Sequence, residues 1–291
     1  MVITIKRKDY VYGMKPYGWI KGSVLTFLGL LLTRWGIGNG RVTFNIYFGL
    51  PIYFLITSSI LLVALVLKIV DEERVQQAIK KLEISSAVIF CLAFGTAIYQ
   101  TLYYNLELLN LFILAIIGAL LILSVAFGKS WKFKSFLTNI LISLAISLGM
   151  IYGASLNRTF IPISVFLFFG TVFLLQFSKD LINESKNEEK YKIAGADSLA
   201  LTLGARKTQI ISFSFDIIII IFIILPIILN SALIHSVLLY TLSMIITVII
   251  IGLAAALTFL MKAEKTYYRL VKNLLKIGMF FVFMTIFLAS F

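Results

Sequence analysis

The chain has 291 residues, of which 60% are hydrophobic and 13% are charged, and its formal net charge is +13 at pH 7. Soluble domains average about 45–50% apolar and about 25% charged residues, so this composition excludes a single soluble globular core. The sequence has one Cys and one His, so we expect no haem, iron–sulfur or zinc site. In membrane proteins Lys and Arg set the topology and face anionic lipid, so the positive charge predicts a lipid bilayer and not nucleic acid as partner.

Nine hydrophobic segments are candidates for transmembrane helices. Crossing a bilayer core of about 30 Å takes about 20 apolar residues, and the runs lack the alternation of a membrane β-barrel. Thr33 and Arg34 interrupt the first segment early. The predicted spans are approximately 22–36, 44–69, 84–102, 108–127, 136–154, 159–178, 210–229, 233–260 and 273–290.

The distribution of basic residues predicts the orientation. With nine spans, all of the 26 Lys and Arg except Arg34, Arg41 and Arg158 fall on one side, which is cytoplasmic by the positive-inside rule. The sequence therefore predicts one transmembrane domain over residues 1–291, multi-pass in the cell membrane, with a cytoplasmic N-terminus and an outside C-terminus. The cytoplasmic connections of about 70–83 and 179–209 carry most of the acidic residues, so chemistry is expected at that end.

Acidic and amide side chains cluster at the end of the sixth span. If that span continues as a helix, a rotation of about 100° per residue places five of them on one face, namely Asp180, Asn183, Glu184, Asn187 and Glu188. Converging oxygen atoms are the ligands that Mg²⁺ prefers, with Asp180 and Glu184 as metal candidates. Lys179 lies beside this face and could contact a phosphate. The alternative is a solvated, salt-bridged helix extension that binds no ligand.

Five further residues within the spans carry predictions. Asn139 in span 5 and Gln176, one turn before Asp180, either form interhelical hydrogen bonds or line a substrate cavity. Gly149 and Gly153 have the small-xxx-small spacing of closely packed helices. Asp216 lies at the edge of span 7, and we expect it to reach the membrane interface.

The segment that begins at Lys179 and Asp180 resembles the second aspartate-rich motif of the UbiA superfamily of intramembrane prenyltransferases. The family pattern opens with Lys-Asp, as here, and its close is matched by Leu203, Gly204, Arg206 and Lys207. Residues 132–153, which include Asn139, and the KKLEISSA segment at 80–87 resemble other family segments. The resemblance implies nine helices around a central apolar cavity and a prenyl diphosphate bound through Mg²⁺ by motifs after helices 2 and 6.

The sequence departs from the family pattern in both motifs. The first motif, N-D-x-x-D-x-x-x-D, has no counterpart, and an ungapped comparison places its acids near Val63, Val66 and Val70. The acids at 71–73 are consecutive, so they point about 100° apart and cannot share one helix face. In the second motif the later aspartates are replaced by amides, with Glu184 as the available substitute; the amides are Asn183 and Asn187.

Three functions stay open. Ionising an allylic diphosphate requires its negative charge to be neutralised, usually by metal ions. The departures therefore favour a non-catalytic protein that binds an isoprenoid or quinone-like lipid as a structural subunit of a membrane complex. The first alternative is an active Mg²⁺-dependent prenyltransferase that moves an isoprenoid from a prenyl diphosphate to a lipid or aromatic acceptor. The second is an unrelated permease, which the scarcity of ionisable residues within the spans disfavours.

Overall fold

The computed structural model describes residues 17–34, 39–68, 76–103, 108–128, 134–157, 161–194, 198–229, 234, 236–260 and 265–291. Over these ranges the regular structure is entirely helical, which confirms the predicted all-α membrane fold class. The helices are α1 (Tyr17–Leu32), α2 (Asn39–Lys68), α3 (Gln76–Tyr103), α4 (Leu109–Gly128), α5 (Lys134–Asn157), α6 (Ile163–Lys186), α7 (Glu188–Ala194), α8 (Leu199–Leu203), α9 (Ala205–Ile228), α10 (Val237–Leu260) and α11 (Lys265–Ala289).

The apolar helices correspond one to one with the predicted spans. Within the described ranges, 8 helices are long and apolar enough to cross a membrane, namely α2 to α6 and α9 to α11. Helix α1 is apolar from Ile20 to Leu32 and is shorter. It ends immediately before Thr33, which was noted as an interruption, and so earlier than the predicted end near residue 36. The connection at 179–209 holds the end of α6, the short helices α7 and α8, and the start of α9.

Glycines bring the backbones of α1 and α5 into direct contact. A Cβ atom on Gly153 would lie 2.1 Å from the carbonyl oxygen of Thr26, and one on Gly149 would lie 2.4 Å from that of Gly22. Real Cβ atoms do not approach a carbonyl oxygen so closely, so any larger residue would push the helices apart. The predicted close packing at Gly149 and Gly153 is confirmed.

Three helices meet beside this crossing. Helix α6 packs against α5, α9 and α11, and α11 packs against α10 and also against α1. Lys21 in the first turns of α1 interacts electrostatically with Lys179 near the end of α6 and with Lys276 on α11. The start of α1 and the first half of α11 therefore lie at the end of the bundle where α6 finishes. We call this meeting point of α1, α6 and α11 the lysine junction.

A buried polar cluster joins α6 to α9. The hydroxyl oxygen of Ser178 lies 2.7 Å from that of Ser212, and Ser178 also donates a 2.7 Å hydrogen bond to Oδ1 of Asp216. Asp216 has no solvent exposure, so the expectation that it reaches the membrane interface is wrong. Asp216 faces α6, where Ser178 donates to its Oδ1, and its Oδ2 has no hydrogen-bond partner among the described residues.

The contact between α1 and α5 is open to a direct test. Gly153→Ala should lower the free energy of unfolding by about 1–3 kcal/mol, because the added methyl group meets backbone atoms that cannot move aside independently. Thermal unfolding of the purified protein in detergent would measure the loss.

The matched control is Gly252→Ala on α10, where an added Cβ meets nothing within 4 Å. This variant should be neutral or slightly stabilising, because alanine favours helix more than glycine does. Equal unfolding temperatures for both variants would contradict the close crossing.

Candidate functional site

Asp180 lies at the lysine junction and is held by residues of its own helix. Its Oδ2 accepts a 2.7 Å hydrogen bond from the Gln176 side-chain amide, and its Oδ1 lies 3.8 Å from the Lys179 ammonium. The Lys179 ammonium in turn donates a hydrogen bond to the side-chain carbonyl oxygen of Gln176. Each of the three side chains therefore contacts the other two on the last turns of α6. The Asp180 side chain is 20% exposed and that of Lys179 is 11% exposed.

Lys21 approaches this set from α1. Its ammonium donates to the sulfur of Met279 on α11, 3.2 Å away. It also interacts electrostatically with Lys179, Asp180 and Lys276. The sequence analysis counted Lys21 only as a topology signal. Lys21 is the last basic residue before the apolar part of α1. That position was the one signal in the sequence that could have indicated that Lys21 lies at the candidate site.

Glu184 points away from the junction and is fully engaged. Its Oε1 accepts hydrogen bonds from Ser135 and from the Asn139 amide, the latter at 2.7 Å. Its Oε2 accepts from the Leu199 backbone N–H at 2.9 Å and from the Ser198 hydroxyl at 3.4 Å. The side chain is 3% exposed. This carboxylate therefore joins α5 and α6 to the N-terminus of α8.

The helix face expected between residues 180 and 188 is interrupted. Helix α6 ends at Lys186, and Asn187 adopts φ −105° and ψ 15° before α7 begins at Glu188. Asn187 donates a 2.7 Å hydrogen bond to the Asn183 carbonyl oxygen. Asn187 and Glu188 therefore do not continue the face that carries Asp180, because the assumption of one uninterrupted helix fails at this turn.

Asn183 keeps a place beside the junction. Its side-chain oxygen accepts a hydrogen bond from Lys272 of α11. Lys272 lies one turn before Lys276 on the same helix, so α11 presents two ammonium groups towards the end of α6.

Helix α7 places Tyr191 near Glu184 and Asp180 of α6. Burial, followed by the negative charges of Glu184 and Asp180, raises the pKa of Tyr191 to about 12. Tyr191 therefore stays a neutral phenol at any physiological pH. The sequence did not single out this residue, because its proximity to Asp180 depends on the turn at Asn187.

The residues that match the close of the second motif, Gly204 and Arg206 among them, have structural roles. Gly204 has φ +86° and separates α8 from α9, a conformation that favours glycine. Arg206 in the first turn of α9 contacts the carbonyl oxygen of Phe259, 3.3 Å from Nη2. This part of the motif therefore shapes the connection between helices.

Two of the three positions that the ungapped comparison assigns to the first aspartate-rich motif lie on α2. Val63 is 2% exposed and Val66 is 3% exposed, and both pack in the apolar interior. Val70 and the acids at 71–73 lie outside the described residues. In the part of the chain that the structure describes, no group of three or more His, Cys, Asp or Glu side chains is arranged to hold a metal ion.

Comparisons with known proteins give a consistent result. The model of the UbiA prenyltransferase family matches residues 72–283. A solved digeranylgeranylglyceryl phosphate synthase structure is similar with a TM-score of 0.67 and 17% identity, covering 97% of this chain and 98% of that one. The apo structure of a UbiA homolog from Aeropyrum pernix K1 has a TM-score of 0.58 and 14% identity, covering 90% of this chain and 96% of that one. No curated protein sequence matches the chain.

The contacts of Glu184 predict a mainly structural effect of its replacement. Glu184→Gln keeps the shape but turns one acceptor oxygen into a donor that faces other donors. The free energy of unfolding should fall by about 1–3 kcal/mol, the usual cost of one unsatisfied buried group. Thermal unfolding would measure it, with Glu189→Gln at an exposed position of α7 as the control. Unchanged stability together with weaker Mg²⁺ binding would instead make Glu184 the metal ligand suggested by the sequence.

Proposed function

The chain belongs to the UbiA prenyltransferase family, and we propose that it holds an isoprenoid or quinone-like lipid without catalysing prenyl transfer. Family membership confirms the resemblance noted in the sequence and overturns the hypothesis of an unrelated permease. The similar digeranylgeranylglyceryl phosphate synthase supports an isoprenoid as the bound lipid. The lipid tail would lie among the apolar helices, with its head at the lysine junction.

The observation that carries this proposal is the engagement of Glu184. Prenyl transfer begins when the diphosphate leaves the allylic carbon, and its developing charge must then be stabilised. Asp180 faces the junction, whereas all four hydrogen bonds of Glu184 go to protein donors. On α2, the aligned positions Val63 and Val66 supply no oxygen atoms.

The donor set at the junction does not fit Mg²⁺. This ion demands an octahedron of oxygen ligands and is usually held by one or two carboxylates together with waters and phosphates. The described side chains there offer a single carboxylate, which is already bonded to Gln176 and accompanied by the ammonium groups of Lys21, Lys179 and Lys276. Two amide oxygens, of Gln176 and Asn183, accept from lysines. No step of the proposed function therefore passes through a metal ion.

The alternative function is an active prenyltransferase that moves an isoprenoid from a prenyl diphosphate to a lipid or aromatic acceptor. The observation in its favour is the Lys179–Asp180 pair, which opens the second motif and lies at the junction. In that case Asp180 would carry the Mg²⁺ dependence of the reaction.

Product formation separates the two functions. The purified protein would be incubated with geranylgeranyl diphosphate, Mg²⁺ and either a glyceryl phosphate or a hydroxybenzoate acceptor, alongside Asp180→Ala. We expect binding of the isoprenoid tail, measured with radiolabelled geranylgeraniol, and no transfer product. Mg²⁺-dependent product that disappears in Asp180→Ala would establish the enzyme instead.

The proposal also includes partner subunits in the cell membrane. A lipid-binding protein without catalysis would serve as a structural part of a larger complex. Purification in mild detergent should then retain other membrane chains in fixed stoichiometry, as judged by native mass spectrometry. A protein that remains alone and is homogeneous under these conditions would contradict this part of the proposal.

A further inference from the structure

We propose that Ser178, Ser212 and Asp216 form an intramembrane binding site for one Na⁺ ion between α6 and α9. The site is separate from the lysine junction, because Ser178 and Asp180 are two residues apart and point to nearly opposite sides of α6. The inference does not rest on the proposed lipid-binding function. Ionisable residues within membrane helices are rare and often mark ion pathways or other functional sites, so the buried Asp216 calls for a chemical explanation.

One oxygen of the Asp216 carboxyl group is left without a partner. Ser178 donates a 2.7 Å hydrogen bond to Oδ1, whereas Oδ2 is buried and has no hydrogen-bond partner among the described residues. Within the described ranges Asp216 also forms no salt bridge, although its side chain has no solvent exposure. A buried polar atom without a partner and a buried charge without a counter-ion are each costly. The arrangement therefore suits a group that supplies both a partner for Oδ2 and a positive charge.

A metal cation meets both requirements at once. A water molecule could donate a hydrogen bond to Oδ2, but it would leave the negative charge of Asp216 buried. A proton would neutralise that charge. Placed on Oδ2 it would be a donor without an acceptor, and placed on Oδ1 it would leave Oδ2 without a partner. A cation beside Oδ2 satisfies this oxygen and balances the charge.

The neighbouring oxygens suit a small monovalent cation. The hydroxyl oxygens of Ser178 and Ser212 lie 2.7 Å apart, and each lies 3.5 Å from the backbone carbonyl oxygen of the other residue. Hydroxyl, carbonyl and carboxylate oxygens are therefore gathered between the two helices, and backbone carbonyl oxygens at membrane depth coordinate Na⁺ in transporters. One carboxylate balances one positive charge, whereas Mg²⁺ would leave an excess and gives up its waters reluctantly. The close spacing of the oxygens favours Na⁺ over the larger K⁺.

The surroundings exclude water from this cluster. Ser178 and Ser212 have no solvent exposure. Leu175, about one turn before Ser178, and Ile219, about one turn after Asp216, are fully buried as well. The attraction between a cation and a carboxylate is stronger in such an apolar position than in water. An ion held here would join α6 to α9 and stabilise the folded bundle.

Thermal unfolding of the full chain, purified in detergent, tests the site. NaCl would be raised from zero against choline chloride at constant ionic strength, so that general salt effects stay fixed. We expect a saturable rise of about 3–6 °C in the unfolding temperature, because a ligand that binds only the folded state stabilises it by mass action. KCl should give a smaller rise. Binding of radioactive Na⁺ to the same preparation should reach one ion per chain.

Three variants assign the ion to this cluster. Asp216→Asn keeps the shape of the side chain and removes its charge, so it should abolish both the sodium-dependent rise and the binding of radioactive Na⁺. Ser212→Ala keeps the carboxylate and removes one hydroxyl ligand. It should weaken Na⁺ binding by about tenfold, and it tests the site even if Asp216→Asn fails to fold. The matched control is Ser214→Ala on the same helix, where the exposed hydroxyl donates to the Ile210 carbonyl oxygen at 3.0 Å. This control should bind Na⁺ like the wild type.

Two results would overturn the inference. Equal unfolding temperatures in NaCl, KCl and choline chloride, together with no bound Na⁺, would make a neutral carboxyl group the explanation of the buried Asp216. Bound Na⁺ that persists in Asp216→Asn would place the ion elsewhere in the protein. Neither result bears on lipid binding at the lysine junction, which is measured with isoprenoids and not with Na⁺.

Discussion

The backbone contact between α1 and α5 is the constraint on which the candidate site depends. Glycines let carbonyl groups of one helix lie against the other, so the two helices have a single distance and register at this crossing. Tight packing of small residues is a main source of helix association in membranes, where lipid is as apolar as the helices. Once α1 is fixed against α5, Lys21 is placed beside the end of α6. The chemistry of the junction thus follows from residues that have no functional groups.

Two carboxylates of the same helix have different surroundings. Asp180 and Glu184 are one turn apart on α6, yet Glu184 is enclosed by donors from α5 and α8 while Asp180 remains partly exposed among lysines. The buried carboxylate of Glu184 joins α5 and α6 to α8, whereas Asp180 lies beside the lysines of the junction. Among the described residues, the junction has a single carboxylate surrounded by lysines, which differs from a metal-binding cluster of carboxylates.

Much of the fold could be predicted because lipid imposes strong rules on sequence. The length of apolar runs gave the spans, Thr33 and Arg34 marked the end of α1, and the spacing of Gly149 and Gly153 indicated their close contact. These signals are local, so a single sequence contains them. The family resemblance was also carried by a continuous segment, whose opening pair at 179–180 and closing glycine at Gly204 each have a local structural reason.

The site was harder to predict because its contacts join distant segments. Glu184 is a carboxylate one turn after Asp180, as expected for a metal ligand. Nothing near it in the sequence reveals that Asn139 and the Leu199 backbone N–H donate hydrogen bonds to its oxygens. Lys21 carries the same positive-inside signal as any other basic residue of the N-terminus. The helix break at Asn187 also altered which residues share a face. The roles of the candidate residues in binding remain predictions for these reasons.

The buried Asp216 has a consequence for the way the protein is made. Helix α9 inserts into the membrane as one of the most hydrophobic segments, but its carboxyl group carries a cost of several kcal/mol in hydrocarbon until it finds polar partners. Ser178 supplies such a partner and belongs to α6, which is synthesised earlier. Docking of α9 against a helix that is already in the bilayer therefore gives one oxygen of this carboxyl group a hydrogen-bond partner. The hydrogen bond between Ser178 and Asp216 therefore makes the folding of α9 depend on a helix that is synthesised earlier.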